Sequence, residues 1–222
     1  MKIKLLSLVM GSVMLTGCMS TQVGVWDDRE ELLTNIDSQC QEHTQDFTKY
    51  SPSFDTASMA ILTVAQRQCE VTGKYQEIRK NHKDVEQFFA IHADKSKEEI
   101  IVLLDQDPKL KKKYDDYTKA QGDIFSANLD LAVNLGVQSV TVAQVYAENA
   151  VPIAQAEAIK MVTGAIDPEE HPIGFVYDEM KTRVSLISES NGLISAEQAF
   201  IKEMEEADKA IQARVERNND AS

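Results

Sequence analysis

The longest regular pattern in the chain runs from Ile61 to His92, and it limits the possible folds more than any other feature. Ile61, Val64, Gln68, Val71, Tyr75, Ile78, His82, Val85, Phe89 and His92 follow one another in steps of three and four. Residues at those steps lie one above the other on a single helical face. Seven of the ten positions are apolar or aromatic, so the face is a coiled-coil-like seam that requires a facing helix. The spacing predicts a helix from about Thr56 to His92, weakened in propensity at Gly73.

The same alternation appears on both sides. Leu33, Ile36, Cys40, His43, Phe47 and Tyr50 predict a helix from about Asp27 to Tyr50, stopped by Pro52. Asp27 and Asp28 stand where a helix N-terminus favours negative charge. An antiparallel hairpin turning near residue 53 brings Cys40 to within one helical step of Cys69. Further on, Ser96-Lys97-Glu98-Glu99 has the capping-box pattern and predicts a short buried helix over IIVLL. Asp107-Pro108 then supplies an N-cap and a helical proline. The helix they open carries Leu110, Tyr114, Tyr117, Gln121, Ile124, Asn128, Leu131 and Leu135, and Gly136 is expected to cap it. Phe125, Leu129 and Ala132 add a second apolar face, so its later half is expected to be the more buried.

Residues 137–162 are rich in Ala and Val, with Glu148 and Glu157 the charged side chains ahead of Lys160. Small apolar residues permit close helix contact, which predicts the central helix of a bundle, kinked or split by Pro152. Gly164 and the AIDPEEHP segment form a loop. Two helices are expected after it. The first, from about Pro172 to Ser190, presents Ile173, Val176, Met180, Val184 and Ile187. The second opens at the capping-box pattern of Ser195 and carries Phe200, Met204, Ala207, Ile211 and Val215. Beyond Glu216 the chain is polar and expected to fray. No helical-repeat period of the tetratricopeptide, ankyrin or HEAT kind is present. With 9 Gly and 5 Pro in 222 residues, a many-turned all-β architecture is disfavoured.

The N-terminus has a different character. Lys2 and Lys4 precede an uncharged run from Leu5 to Gly17, too short to span a bilayer and suited to a secretory signal. Its last residues, Leu15, Thr16 and Gly17 before Cys18, resemble the lipobox of bacterial lipoproteins. The resemblance covers residues 1–18 alone. It implies cleavage before Cys18, a diacylglycerol on the Cys18 sulfur and acylation of the new amine. It also implies retention at the outer membrane, facing the periplasm, because Met19 stands where an Asp would favour the inner membrane. Each buried methylene contributes about 0.8 kcal/mol, so several acyl chains make such an anchor effectively permanent.

Assigning Cys18 to lipid leaves Cys40 and Cys69 as an even pair in an oxidising compartment, which favours a disulfide over two buried free thiols. Loss of Lys2 and Lys4 with the leader leaves 21 basic and 36 acidic residues. Nucleic acid and anionic headgroups are poor partners for that surface. The expected fold is therefore all-α: an antiparallel bundle of about six or seven helices with a disulfide-linked N-terminal hairpin. Residues 1–17 form the signal peptide, 18–26 a lipidated tether, 27–218 one helical domain and 219–222 a polar tail.

Chemistry leaves fewer marks. His43, His82 and His92 fall on apolar seams, where hydrogen-bonded histidines that fix helix register are expected before a metal site. The chain has no Glu-x-x-His pair for a di-metal carboxylate centre and no Gly-x-Ser-x-Gly elbow. No cofactor besides the Cys18 lipid is expected. Lys109, Lys111, Lys112 and Lys113 gather positive charge in the first turns of a helix, against its dipole. They form either a contact for an anionic partner or a solvated turn neutralised by Asp105, Asp107, Asp115 and Asp116. The functional expectation is a non-enzymatic interaction or scaffolding lipoprotein with a protein partner in the envelope. The alternative is a periplasmic hydrolase or small-ligand binder with a pocket between helices.

Overall fold

The computed structural model describes residues 29–220; the predicted leader, Cys18, the tether and the Asp27-Asp28 pair lie outside them. Seven α-helices occur among the described residues: α1 (Glu30–His43), α2 (Pro52–Asn81), α3 (Lys83–Ile91), α4 (Lys97–Gln106), α5 (Pro108–Glu148), α6 (Ala150–Thr163) and α7 (Pro172–Asp220). The fold is all-α, as expected.

The Ile61 seam builds its centre. Ile61, Val64, Gln68, Val71, Tyr75, Val85 and Phe89 are all buried, and α2, α5 and α7 pack mutually around them. Residue pairs give the directions. Gln68 meets Asn128 and His82 meets Tyr117, so α5 runs antiparallel to α2; Asn128 meets Ser195 and Tyr146 meets Tyr177, so α7 runs antiparallel to α5. A smaller apolar cluster, Phe54, Ala57, Val145, Val176 and Met180, closes one end of the bundle. The Cys40–Cys69 disulfide joins α1 to α2 across a Cα separation of 5.9 Å. The Ser96 capping box is formed, with the Glu99 amide donating to Ser96 Oγ and the Ser96 amide to the Glu99 carboxylate. Asp107 accepts from the Lys109 and Leu110 amides at the start of α5.

Four expectations are corrected. The first helix ends at His43 instead of Tyr50, because tertiary contacts claim the chain after it. Arg183 of α7 donates to the His43 and Asp46 carbonyls, and Glu179 accepts from the Thr48 amide and hydroxyl at 3.0 and 3.1 Å. The seam helix breaks once, at His82, whose amide is shared between the Ile78 and Arg79 carbonyls; α3 then continues the seam. Gly136 does not end α5, which continues to Glu148 and divides from α6 at Asn149; the Pro152 ring excludes a helical bond to the carbonyl four residues back, that of Glu148. Last, Ser195 opens no helix: α7 is continuous from Pro172 to Asp220, because Ser195 and its neighbours face a polar partner on α5.

Two glycines have definite tasks. Gly164 adopts φ 83° at the C-terminus of α6, where a side chain would be strained, and its amide donates to the Lys160 carbonyl at 2.8 Å. Gly174 lets α6 lie against the start of α7: a Cβ there would sit 2.0 Å from the Ala156 Cβ. Gly174→Ala is therefore expected to lower stability by about 1–3 kcal/mol through overpacking, despite the better helix propensity of alanine. Adding Ala156→Gly should restore most of the loss, as read by urea denaturation; equal stability of Gly174→Ala and the wild type would contradict the close approach.

Candidate functional site

Three features could carry function: two polar layers inside the bundle, a cleft beside one of them, and an uncovered apolar face. The first polar layer is built on Glu197 of α7, which is fully buried. Arg79 Nη1 donates to Glu197 Oε2 at 2.8 Å, the Tyr75 hydroxyl donates to the same oxygen, and Gln121 Nε2 approaches Oε1 at 3.5 Å. Arg79 also pairs with Glu86 of α3 through Nη2. Arg29, just ahead of α1, closes the layer by donating to the Leu193 carbonyl at 3.0 Å and to the Tyr75 hydroxyl at 3.4 Å.

Burial raises the Glu197 carboxyl above the usual glutamate range, while Arg79, the Tyr75 hydrogen bond and Arg29 pull it back. Burial, and Glu197 beside it, likewise push the Tyr75 hydroxyl up. The second layer lies next along the bundle. Gln68 donates to Asn128 Oδ1 at 3.0 Å, Asn128 Nδ2 reaches Ser195 Oγ at 3.2 Å, and Asn191 Nδ2 donates to the Asn128 carbonyl at 2.9 Å. Each layer joins α2, α5 and α7 by hydrogen bonds, although Gln68 Oε1 and Gln121 Oε1 accept none, so a shift of one helix by a turn would break several buried bonds at once. Their chemistry suits a register lock.

Beside the first layer a cleft of about 620 Å³ opens between α1, α2 and α3, with Arg29, Gln76, Arg79, Lys80, Lys83 and Glu86 among its walls. The predicted lysine cluster lies elsewhere, at the start of α5. Lys111 pairs with Asp105, Lys112 with Asp116 at 2.7 Å, and Lys113 with Asp84 of α3, while Lys109 is exposed beside them. Lys111 also edges a shallow groove of about 300 Å³ floored by Ile101, Leu104 and Met204. The histidines do not converge. His43 sits at the end of α1, His82 stacks obliquely on Tyr117 with 5.5 Å between ring centroids, and His92 contacts Phe88 at 4.8 Å. Among the described residues no group of three or more His, Cys, Asp or Glu side chains is placed to hold a metal ion.

The uncovered face is where residues 137–162 depart from their expected place. They form the end of α5 and all of α6, at the periphery; α2 is the central helix instead. Val142, Val145, Ile153 and Ala156 turn inward, but Val137 and Val140 are 61% and 69% exposed, continuing a line from Leu129 (60%) and Val133 (63%). Val151, Met161 and Val162 of α6 are exposed further still. The second apolar face expected to bury the later half of α5 is thus only partly covered: Phe125 is buried and Leu129 is not. No helix among the described residues is long and apolar enough to cross a membrane.

No family model, curated protein or solved structure matches the chain.

Proposed function

We propose that the chain is a lipid-anchored lipoprotein of the outer membrane, facing the periplasm, whose helical domain serves as a non-enzymatic interaction or scaffolding module in a cell-envelope assembly. The observation that carries the interaction reading is the uncovered line Leu129, Val133, Val137 and Val140, extended by Val151, Met161 and Val162 on α6. Contiguous exposed apolar residues of this extent mark binding surfaces. In a chain of formal charge −13 an uncharged face is also one where acidic repulsion is weak. An envelope protein offering an apolar helix fits it, and nucleic acid does not.

The anchor rests on the lipobox-like Leu15-Thr16-Gly17-Cys18 sequence. Cells fed labelled palmitate should label the wild-type protein and leave a Cys18→Ala variant unlabelled and unprocessed. Equal labelling of the two would end the lipoprotein reading.

The cleft beside Arg79 favours a second reading, a periplasmic small-ligand binder or hydrolase, since basic and acidic side chains share its walls. A thermal-shift screen of small anions, repeated on a Lys80→Ala/Lys83→Ala variant, tests it; a stabilising ligand that the variant no longer senses would favour the cleft.

A further inference from the structure

The outer face of α5 is more regular than its large apolar residues alone show. Gly122, Ser126, Leu129, Val133, Gly136, Val140, Ala143 and Ala147 alternate in steps of four and three, all eight are exposed and none is charged. They make an unbroken heptad seam about 38 Å long, on the side of α5 away from Ile124, Leu131 and Val145. Two of its positions are glycines in mid-helix, each less favourable than alanine by about 1 kcal/mol. Neither has a positive φ, and a Cβ at either would meet nothing within 4 Å. Nothing among the described residues requires a glycine at these places. A second helix approaching closely does.

We propose that this seam is covered by the same seam of a second copy, running antiparallel, with a two-fold axis passing between residues 134 and 135. The inference rests on the interaction reading above and names its partner. An antiparallel seam faces Gly122 with Ala147, Ser126 with Ala143, Leu129 with Val140, and Val133 with Gly136 of the other copy. Every glycine then meets a residue that has a side chain, and every layer is repeated by the symmetry, as a self-complementary two-fold interface demands. An in-register parallel pair would set Gly136 against Gly136, leaving a gap, and Lys119 against Lys119.

The charges agree with the antiparallel arrangement. Lys119 of each copy comes beside Glu148 of the other at both ends of the seam, and Asp123 and Asp130 face Gln144 and Val137 instead of a second acid. Opposite charges at the rim and no like pair across it give orientation to a contact between two acidic proteins.

The test uses the full chain, produced with its own N-terminus in cells that have an envelope. Two differently tagged copies, one carrying Ser126→Cys and the other Ala143→Cys, should form a mixed crosslinked dimer on mild oxidation. Either variant alone should form none, since the same position in the two copies is then about 25 Å apart along the helices. Val133→Asp in both copies should abolish the crosslink and leave the helix content of the folded single molecule unchanged, because residue 133 is exposed there. Self-crosslinking of either variant alone would overturn the antiparallel pairing. Adducts with a different protein and none between copies would overturn the second copy while the interaction reading stands. No adduct of any kind, with Val133→Asp silent, would overturn both.

Discussion

Replacing Glu197 by alanine is expected to lower the stability of the bundle by roughly 3–5 kcal/mol, the loss that follows when one partner of a buried ion pair is removed. Arg79, 4% exposed, would lose Glu197 while Glu86 stays on its other side, and the Tyr75 hydroxyl would lose the carboxylate it donates to. A folded domain has about 5–15 kcal/mol in total, so the loss should be plain in a urea titration. Converting the pair to apolar residues, Arg79→Met with Glu197→Leu, should restore most of it, because two desolvated charges give little net stability over well-packed side chains. A Glu197→Ala variant within 1 kcal/mol of the wild type would contradict the burial described for this layer.

The same residue sets a pH dependence. Glu197 holds its proton more tightly in the fold than in the unfolded chain, so its contribution is full below the ordinary glutamate range and is lost as pH rises through its raised folded value. Glu99 runs the other way. The Ser96 amide and hydroxyl hold it below the usual range, so its contribution is present above that range and is lost as pH falls through its lowered value. Glu197→Gln removes the first dependence and keeps the second. The wild type should therefore gain on Glu197→Gln as the pH is lowered from neutral, and parallel stability curves would overturn the assignment.

How much of this was legible depends on what a sequence pattern records. Period and caps are local, and the Ile61 seam, the Ser96 box and the Asp107-Pro108 start all reappear where expected. Gln68, Gln121 and Asn128 were visible as polar residues on apolar faces, which is the one trace the buried layers leave in sequence. Glu197 left none, because Ser195-Ala196-Glu197-Gln198 reads equally well as a helix start, and only the facing α5 decides that the helix runs through. The end of α1 was hidden for a similar reason: Arg183, 140 residues away in sequence, takes the His43 carbonyl. Residues 137–162 misled in the opposite sense. Their composition asks for burial, and within one molecule it goes half unanswered on the outer side of α5 and α6.

The disulfide should prove the second large contributor. A bond between residues 29 apart removes loop-closure entropy worth roughly 3–4 kcal/mol in the chain-entropy model. Its effect should be local. Ile36 is the one buried residue of α1, with Leu33 and Cys40 half-buried, so without the bond this helix has little apolar area to hold it. Ile36 reaches the edge of the main core, whose larger part is built by α2, α5 and α7. Reduction, or Cys40→Ser with Cys69→Ser, is thus expected to release α1 while the bundle remains folded. Hydrogen exchange should show the amides of residues 33–43 losing protection and those near Ile61, Ile124 and Ile187 keeping theirs. Release would also draw Arg29 away from Tyr75 and the Leu193 carbonyl, opening the buried Glu197 layer to water. Helix α1 therefore covers the ion-pair layer as well as being tied to α2. If its amides stay protected after reduction, packing alone suffices; if the core amides are lost as well, α1 is part of a single cooperative unit.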